Sequence, residues 1–553
     1  MLNGTVLHIL LIAAAACCLY APSLPSAFVL DDMPVIADNS SLDAPSAYLP
    51  VIGEYSGKPR SFGYFTFSLN YRLHGLDVEG YRATNIAIHI GAALLVYVLV
   101  RISASAAGLR SPEERQGFDR AGFIAGMLFA VHPVQTQAVT YLSQRFASLA
   151  TLLCLLSVVA YGHWRSQQTR GNENGFQRHG WYALSLISAF LAMKTKEIAF
   201  TLPLMIVLAE AIFFRGSRPP RVISLIPYIL LMLVIPLSLM PGQGSGASAQ
   251  ALLPAETVRI SRHDYLMTQA RVLATYGRLL LLPVNQNLDY DFPVLGSLTI
   301  VSLSTVIAKL LLLGSGIYAV ARPATGAAGP RFWPRLFGFG VFWFFLSLAV
   351  ESSIFPIRDV IFEHRLYLPS AGFCLIVIAA IGQVETKSPH MKPLTSAAVS
   401  ILLVLLSVLT VSRNLTWRNN ETLWSDVVSK SPAKARPRNN LGLIYAETGR
   451  HEKALEEFRF AALQDPGLAE AQVNLGNELY SAGRLDEAAA AYERAARLAP
   501  GFAKVRYNLG NLYMRMGRRD DAVAAYKKAL ELKPDYEKAK KALEELSGEN
   551  PER

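Results

Sequence analysis

The first three quarters of the chain consist of long apolar runs separated by shorter polar loops. A helix needs about 20 apolar residues to cross a bilayer, and runs close to this length recur up to residue 412. The pattern predicts eleven membrane spans, at roughly 5–24, 83–100, 121–139, 142–163, 181–194, 198–214, 222–240, 298–320, 332–350, 366–383 and 395–412.

After residue 412 the pattern becomes that of soluble helices, and it repeats every 34 residues. Small residues allow two helices to pack closely, and proline ends the second helix of each copy, as in the tetratricopeptide pattern. The sequence therefore predicts three such repeats. Their shared positions are Gly442, Gly476 and Gly510, then Ala454, Ala488 and Ala522, then Pro466, Pro500 and Pro534.

These two patterns predict an all-α protein, a polytopic membrane helical bundle followed by an α-solenoid. Stacked repeats form a curved groove, which favours binding of a peptide or partner protein over a spacer or dimerisation role. The predicted boundaries are residues 1–412 for the membrane domain, 413–434 for a lead-in helix or linker, 435–536 for the repeats and 537–553 for a capping helix and tail.

The charge pattern indicates topology rather than nucleic-acid binding. The net charge is +11, but many arginines lie in alternate loops between the apolar runs, which the positive-inside rule places in the cytoplasm. The loop with Asp31 and Asp32, the loops 241–297 and 351–365, and the repeats are then extracytoplasmic. Within the second of these loops, Tyr265 to Leu282 has the spacing of an amphipathic helix lying on the membrane surface.

Asp31 and Asp32 follow the first apolar run directly. A carboxylate in an acceptor pocket can take the proton from an attacking hydroxyl group, while its neighbour orients the acceptor or a cation. The alternative is a solvated pair or a helix cap, a common role for aspartate.

More polar groups lie at the ends of other spans on the predicted outer side. Each could be a helix-end charge, but together they point to a shared polar cavity whose cations could hold a phosphate or diphosphate leaving group. They are His132, Arg145, Lys194, Lys196, Glu197, Glu363, His364 and Arg365.

Several catalytic classes find no support in the sequence. It has no HExxH metal spacing, Walker loop or GxSxG turn, so neither a metal nor a cofactor is indicated. A divalent metal remains an open alternative, with Asp31, His132, Glu363 and His364 as potential ligands. The four cysteines all lie in apolar runs and form no disulfide framework.

Several segments together resemble a known family. FVLDDM, the stretch LNYRLHGLDVEGYRATNIAIHI, FAVHPVQTQAVTYLSQR, KTKEIAFTLPL and FEHRLYLPSAGF precede the repeats in this order. The chain resembles the tetratricopeptide-containing transmembrane O-mannosyltransferases of the GT-C glycosyltransferase superfamily, and the resemblance runs over nearly the whole chain.

This resemblance implies a GT-C-like bundle that transfers one sugar from a polyprenyl-phosphate carrier to a serine or threonine hydroxyl of a protein. By position, Asp31 or Asp32 would be the base, and Arg145, Lys196 and Arg365 would contact the carrier phosphate. The expected partners are the lipid-linked sugar, membrane lipid and a protein acceptor held by the repeats, with no nucleic acid. We expect a bacterial inner membrane with a periplasmic site, or alternatively the lumenal face of the endoplasmic reticulum.

Two other functions fit the same sequence. One is a non-enzymatic membrane scaffold whose repeats recruit envelope proteins, and the other is a transporter of a lipid-linked sugar. A transporter would carry ionisable residues buried at mid-bilayer, whereas most strong charges here lie at the ends of the apolar runs.

Overall fold

The computed structural model describes residues 4–43, 59–107, 112–169, 175–214, 222–239, 260–297, 299–321, 332–353, 355–357 and 359–547. The described chain is all-α and forms two compact units, one of residues 1–288 and 292–418 and one of residues 289–291 and 419–553. The prediction of an all-α protein is confirmed, and no strand occurs in these ranges.

Fifteen helices build the first unit over its described residues. They are α1 (Gly4–Tyr20), α2 (Ser61–His74), α3 (Val78–Ala106), α4 (Pro112–Val131), α5 (Thr136–Thr140), α6 (Arg145–Thr169), α7 (Gly175–Met193), α8 (Leu202–Phe213), α9 (Ile226–Leu231), α10 (Val234–Leu239), α11 (Arg262–Leu281), α12 (Ile300–Ala321), α13 (Phe332–Leu348), α14 (Tyr367–Lys387) and α15 (Lys392–Thr416).

The first unit is a multi-pass membrane domain. Six described helical segments are long and apolar enough to cross a bilayer, and they are Gly4–Ser23, Val78–Ala106, Leu142–Gln168, Ile300–Ala321, Glu363–Lys387 and Pro389–Thr416. Ile226–Ser238 and Phe332–Leu348 are apolar but shorter. The number of eleven spans therefore stays a prediction.

The predicted span 121–139 differs from the structure in one informative way. Helix α4 ends at Val131, and residues 133–144 form short turns around the single helical turn of α5 before α6 begins at Arg145. Pro133 has no amide hydrogen to donate, which favours a helix end at this point. This break places polar side chains between α4 and α6, where they build part of the site described below.

The second unit contains eight helices over its described residues. They are α16 (Asn420–Lys430), α17 (Ala435–Glu447), α18 (His451–Gln464), α19 (Ala469–Ser481), α20 (Leu485–Leu498), α21 (Ala503–Arg515), α22 (Arg519–Leu532) and α23 (Glu537–Ser547). The three predicted repeats are the pairs α17–α18, α19–α20 and α21–α22. The predicted lead-in helix is α16. Trp417, which precedes it, lies in the first unit, with its ring centroid 6.0 Å from that of Tyr141.

Close packing explains why the repeat positions require small residues. A Cβ atom on Gly442 would lie 2.7 Å from the Phe458 ring, and one on Gly476 would lie 2.6 Å from the Tyr492 ring. Ala454, Ala488 and Ala522 are fully buried. The second helix of each pair ends two residues before Pro466, Pro500 or Pro534. Gly510 packs against Tyr526 in the same way.

The second unit also includes Asp289–Asp291, which precede α12 in the sequence. The buried Asp289 carboxylate accepts hydrogen bonds from Lys434 and from Arg436, whose Nε lies 2.6 Å from Oδ2. Burial alone would raise the pKa of Asp289, but Arg436 and Lys434 outweigh it and lower the pKa. This acidic residue is therefore part of the first repeat's structure.

Asp289→Ala is expected to destabilise the second unit by about 3 kcal/mol, because Lys434 and Arg436 lose the buried carboxylate with which both form ion pairs. Hydrogen exchange of the amides in α17, measured on the full chain, should be faster by the factor that corresponds to this loss of unfolding free energy. The control is Asp291→Ala, since that side chain is exposed and only its backbone amide bonds Ser431. Equal exchange in the two variants would contradict the assignment.

Candidate active site

The adjacent acids Asp31 and Asp32 lie in opposite environments. Asp31 is exposed, whereas Asp32 is fully buried. The preceding residue, Leu30, has a φ of 46°, which is unusual for a residue with a side chain and is strained. The turn that begins at Leu30 and carries both aspartates is therefore held in an unfavourable backbone conformation by its surroundings.

Asp32 fixes this turn to the segment that leads into α6. Its Oδ2 accepts the backbone N–H of Val29 at 3.0 Å, and its Oδ1 accepts the backbone N–H of Ser143 at 2.7 Å. Burial raises the pKa of Asp32 to about 7, although the Ser143 and Val29 amides and the charge of Arg82 oppose this effect. Both oxygens are occupied inside the protein, so the geometry favours a positioning role.

Asp31 is held by its backbone. Its N–H donates to the Tyr141 hydroxyl at 3.0 Å, and among the described residues its carboxylate forms no hydrogen bond or ion pair. The carboxylate is thus accessible on a fixed backbone, which is the arrangement a general base requires.

Arg145, one of the residues expected at the phosphate, is fully buried. Its Nε donates to Asn85 Oδ1 at 2.7 Å, and its guanidinium lies 4.4 Å from the centre of the Phe67 ring. These contacts place its charge inside the protein and favour a structural role that holds α2 and α3 against α6. The Arg145 guanidinium also donates to the Thr66 carbonyl, Asn70 Oδ1 and the Tyr81 carbonyl.

A network of alternating charges lies at the start of α2 and between α7 and α8. Arg60 donates two hydrogen bonds of 3.0 Å to the two carboxylate oxygens of Glu197. Lys196 is buried, and its Nζ lies 3.2 Å from Glu351 Oε1. Arg60 has a φ of 60°, so this residue too is held in a strained conformation.

The pKa values in this network follow from burial and pairing. Burial lowers the pKa of Lys196 although Glu351 opposes the shift. Burial would raise the pKa of Glu197, but the charge and hydrogen bonds of Arg60 together with the charge of Lys196 outweigh it and lower the pKa. Lys196 is therefore a buried lysine whose carboxylate partner is Glu351.

Lys194, another expected phosphate contact, lies beside this network. Its Nζ donates to the Ser238 hydroxyl at 2.9 Å, and its carbonyl accepts the Phe62 N–H at 3.0 Å. These contacts connect α2 and α10 to the end of α7.

The Glu363–Arg365 segment lies in the turn before α14, and two of its side chains make structural contacts. Glu363 is buried and accepts hydrogen bonds from Gln286 Nε2 at 2.8 Å and from the Asn287 N–H at 2.6 Å. The Arg365 guanidinium donates to the carbonyls of Val360 and Asp359. Both side chains fix neighbouring loops.

His364 is the least satisfied group of this segment. Its backbone N–H donates to Gln137 Oε1 at 2.6 Å, but the buried ring Nδ1 has no hydrogen-bond partner among the described residues. It lies within electrostatic reach of Lys196, Arg365 and Arg60. An orphaned ring nitrogen beside three cations points to a missing anionic or hydroxylic partner.

His132, the remaining candidate, is used structurally. Its Nε2 bonds the Leu280 carbonyl at 3.0 Å, and its Nδ1 accepts the Val134 N–H at 3.2 Å. Within the described ranges no three His, Cys, Asp or Glu side chains form a group that could hold a metal ion. The four potential metal ligands are thus not brought together there.

Shared packing connects the Asp31 turn to the charged network. Arg60 lies 5.6 Å from the centre of the Phe146 ring, and Phe146 belongs to the same apolar cluster as Ile36 and Leu142. Arg60 thereby contacts an apolar cluster to which residues on both sides of the Asp31–Asp32 pair, Phe28 and Ile36, also belong.

The sequence analysis missed Glu351 and Tyr141. Glu351 lies three residues after the end of α13, at the start of a predicted outer loop, and this position was the available signal. Arg60 lies in the first predicted outer loop, where cations are expected to meet a lipid phosphate.

Comparisons with known proteins agree with this architecture. Family models for tetratricopeptide repeats match residues 435–466, 476–517 and 503–536. A protein O-mannosyl-transferase of Caenorhabditis elegans is 27% identical, with 81% of this chain and 61% of that protein covered. The corresponding values for Tmtc3 of Drosophila melanogaster are 26%, 82% and 55%, and for human TMTC3 they are 25%, 84% and 52%.

The chain spans about half to three fifths of the length of these relatives. Among solved structures, MamA is 26% identical, covers 23% of this chain and 75% of its own, and gives a TM-score of 0.23. Over about four fifths of its length the chain is thus similar to protein O-mannosyl-transferases, and its second unit carries tetratricopeptide repeats.

Proposed function

We propose that this protein is a glycosyltransferase that moves a monosaccharide from a polyprenyl-phosphate carrier to a serine or threonine hydroxyl of a protein. The observation that carries the proposal is the exposed Asp31 carboxylate on a turn pinned by the buried Asp32. The names of the similar proteins support protein O-glycosylation.

In the proposed reaction, Asp31 accepts the proton of the acceptor hydroxyl, and the hydroxyl oxygen forms a bond to the anomeric carbon of the sugar. The bond between that carbon and the phosphate oxygen breaks, and the carrier phosphate leaves with the electron pair. Lys196 stabilises the charge that develops on the phosphate, with Arg60 and Arg365 nearby. The activated donor makes ATP unnecessary.

The repeats would hold the protein acceptor and raise its local concentration near the membrane. The proposed site faces the extracytoplasmic side, in the periplasm of a bacterial inner membrane or in the endoplasmic reticulum lumen, and the arginine-rich alternate loops support this orientation. A scaffold would share the repeats but would have no need of an exposed carboxylate on a strained turn.

The test is reconstitution of the full chain in liposomes with a polyprenyl-phosphate hexose and a serine- and threonine-rich acceptor protein. Mass spectrometry should find hexose on hydroxyl side chains, together with released polyprenyl phosphate. A panel of polyprenyl-phosphate monosaccharides that yields no modified acceptor would overturn the proposal.

Lys196→Met is expected to lower kcat/KM for the donor by roughly 100-fold, because a preformed donor to the leaving group typically contributes this much. Lys196→Arg should retain more activity, since it keeps a positive charge facing Glu351. The control is Lys387→Met, which removes an exposed lysine at the end of α14. Unchanged kinetics in a folded Lys196→Met protein would exclude Lys196 from the donor site.

A further inference from the structure

Helix α12 carries one ionisable residue in a position where membrane proteins rarely tolerate one. The helix is 22 residues long, and only 11% of its apolar window is buried within the protein, so most of its surface faces lipid. Lys309 lies nine residues after Ile300, about 14 Å along the helix at 1.5 Å per residue. Its Nζ contacts α11, which is predicted to lie on the membrane surface, so the ammonium group lies within reach of lipid headgroups.

Contacts within the protein do not compensate the charge of Lys309. Its Nζ donates to the Ala270 carbonyl of α11 at 3.2 Å, which uses one of its three N–H groups. No carboxylate pairs with it among the described residues, and α12 contains no acidic residue. A lysine that extended to the membrane surface would have its ammonium in water, whereas this one is fixed against a neighbouring helix.

The neighbouring helix adds to the positive charge. Arg271 follows Ala270, and its guanidinium contacts the Phe292 ring at 5.4 Å without a hydrogen-bond or ion-pair partner in the described part of the chain. The one acid of α11, Asp264, lies in its first turn and is bonded to Ser261 and His263. Two cations, Lys309 and the neighbour of its acceptor Ala270, thus lie near this contact, and neither has a carboxylate partner among the described residues.

The surfaces around these cations suit a lipid. Thr305 and Lys309 are four residues apart and lie on one face of α12, where Ser302 is fully buried. Leu310 and Leu311 beside them are exposed apolar side chains. A ligand with one negative headgroup and a long apolar chain satisfies both features.

We propose that Lys309, together with Arg271, binds the phosphate of a membrane lipid at the contact between α11 and α12. The required chemistry is a phosphate monoester or diester on an apolar chain. A polyprenyl phosphate and an anionic glycerophospholipid both have it. The site is separate from Asp31, and its existence does not depend on the proposed transfer reaction.

The test measures the melting temperature of the full chain in nanodiscs of phosphatidylcholine alone, with added phosphatidylglycerol, or with added polyprenyl phosphate. Wild-type protein should be stabilised by at least one phosphate lipid, because a ligand that binds the folded state raises its stability. Lys309→Met should lose this shift and bind that lipid about tenfold more weakly by native mass spectrometry. Lys309→Arg should keep it.

Lys309→Met should itself fold, because an apolar residue is favoured in lipid, and in phosphatidylcholine it should melt above the wild type. A shift with polyprenyl phosphate only would assign the site to the sugar carrier, and a shift with both lipids would assign it to bulk anionic phospholipid. Equal shifts in wild type and Lys309→Met, or no shift in the wild type, would overturn the proposal. Lys387→Met serves as the control for loss of a positive charge.

Discussion

Asp31→Asn is expected to lower the rate of sugar transfer by about 10²–10⁴-fold, the usual contribution of a positioned general base. The amide cannot accept the hydroxyl proton, whereas its size and its surroundings are unchanged. Because the Asp31 side chain is exposed and its anchoring bond to Tyr141 comes from the backbone, the variant should fold and melt like the wild type. The measurement is single-turnover transfer from saturating donor to an acceptor peptide.

Asp38→Asn is the matched control, since it removes another exposed carboxylate seven residues later in the same loop. Its transfer rate should equal that of the wild type. Asp31→Glu keeps a carboxylate but moves it by about one methylene length, so it should recover part of the lost rate. Full activity of Asp31→Asn would exclude Asp31 as the base, and another group would then have to accept the hydroxyl proton.

The sequence predicts the repeats more fully than the membrane unit for a physical reason. Each repeat contacts mainly its neighbours, so the fixed spacing of Gly442, Gly476 and Gly510 reports a local packing requirement. The turn glycines Gly449, Gly483 and Gly517 share this spacing and have φ values of 74° to 76°, yet they were overlooked. Their requirement is for backbone conformation, which hydrophobic patterning does not show.

The site was harder to predict because a hydropathy pattern does not show what a charge contacts. Arg145, His132 and Glu363 are as polar as Lys196, but their partners Asn85, Leu280 and Asn287 come from 60, 148 and 76 residues away. Such long-range contacts decide whether a charge supports the fold or faces a substrate. Lys309 lies within the predicted span 298–320, but the sequence analysis considered only the charges at the ends of the spans.

Asp32→Ala is expected to destabilise the protein by about 3 kcal/mol and to reduce transfer through Asp31. The change leaves the buried N–H groups of Val29 and Ser143 without their acceptor, and each unpaired group costs about 1–3 kcal/mol. The strained turn at Leu30 then loses the contacts that hold it, so the Asp31 carboxylate loses its fixed position. Melting temperature and transfer rate should fall together, unlike in Asp31→Asn.

Asp32→Asn keeps the size of the side chain but removes its ionisable group. The pH dependence of the unfolding free energy therefore reports the contribution of the Asp32 charge. The folded-state pKa of about 7 lies above the ordinary value of 3.8, so between these pH values the folded protein binds more protons than the unfolded chain. Wild-type stability should therefore contain a contribution from this group that decreases as pH rises from about 4 to 7, by up to about 1.4 kcal/mol per unit. It should change little above pH 7.

Asp32→Asn has no carboxyl group that titrates. The unfolding free energy of the variant should therefore rise relative to that of the wild type as pH increases from about 4 to 7. Unfolding free energies at pH 5, 6, 7 and 8 would measure it, with Asp38→Asn as the control that keeps the wild-type slope. Parallel curves for wild type and Asp32→Asn would mean that Asp32 is ionised throughout. Asp32 would still bond the Val29 and Ser143 amides in that case, so its positioning role would remain and would not depend on a bound proton.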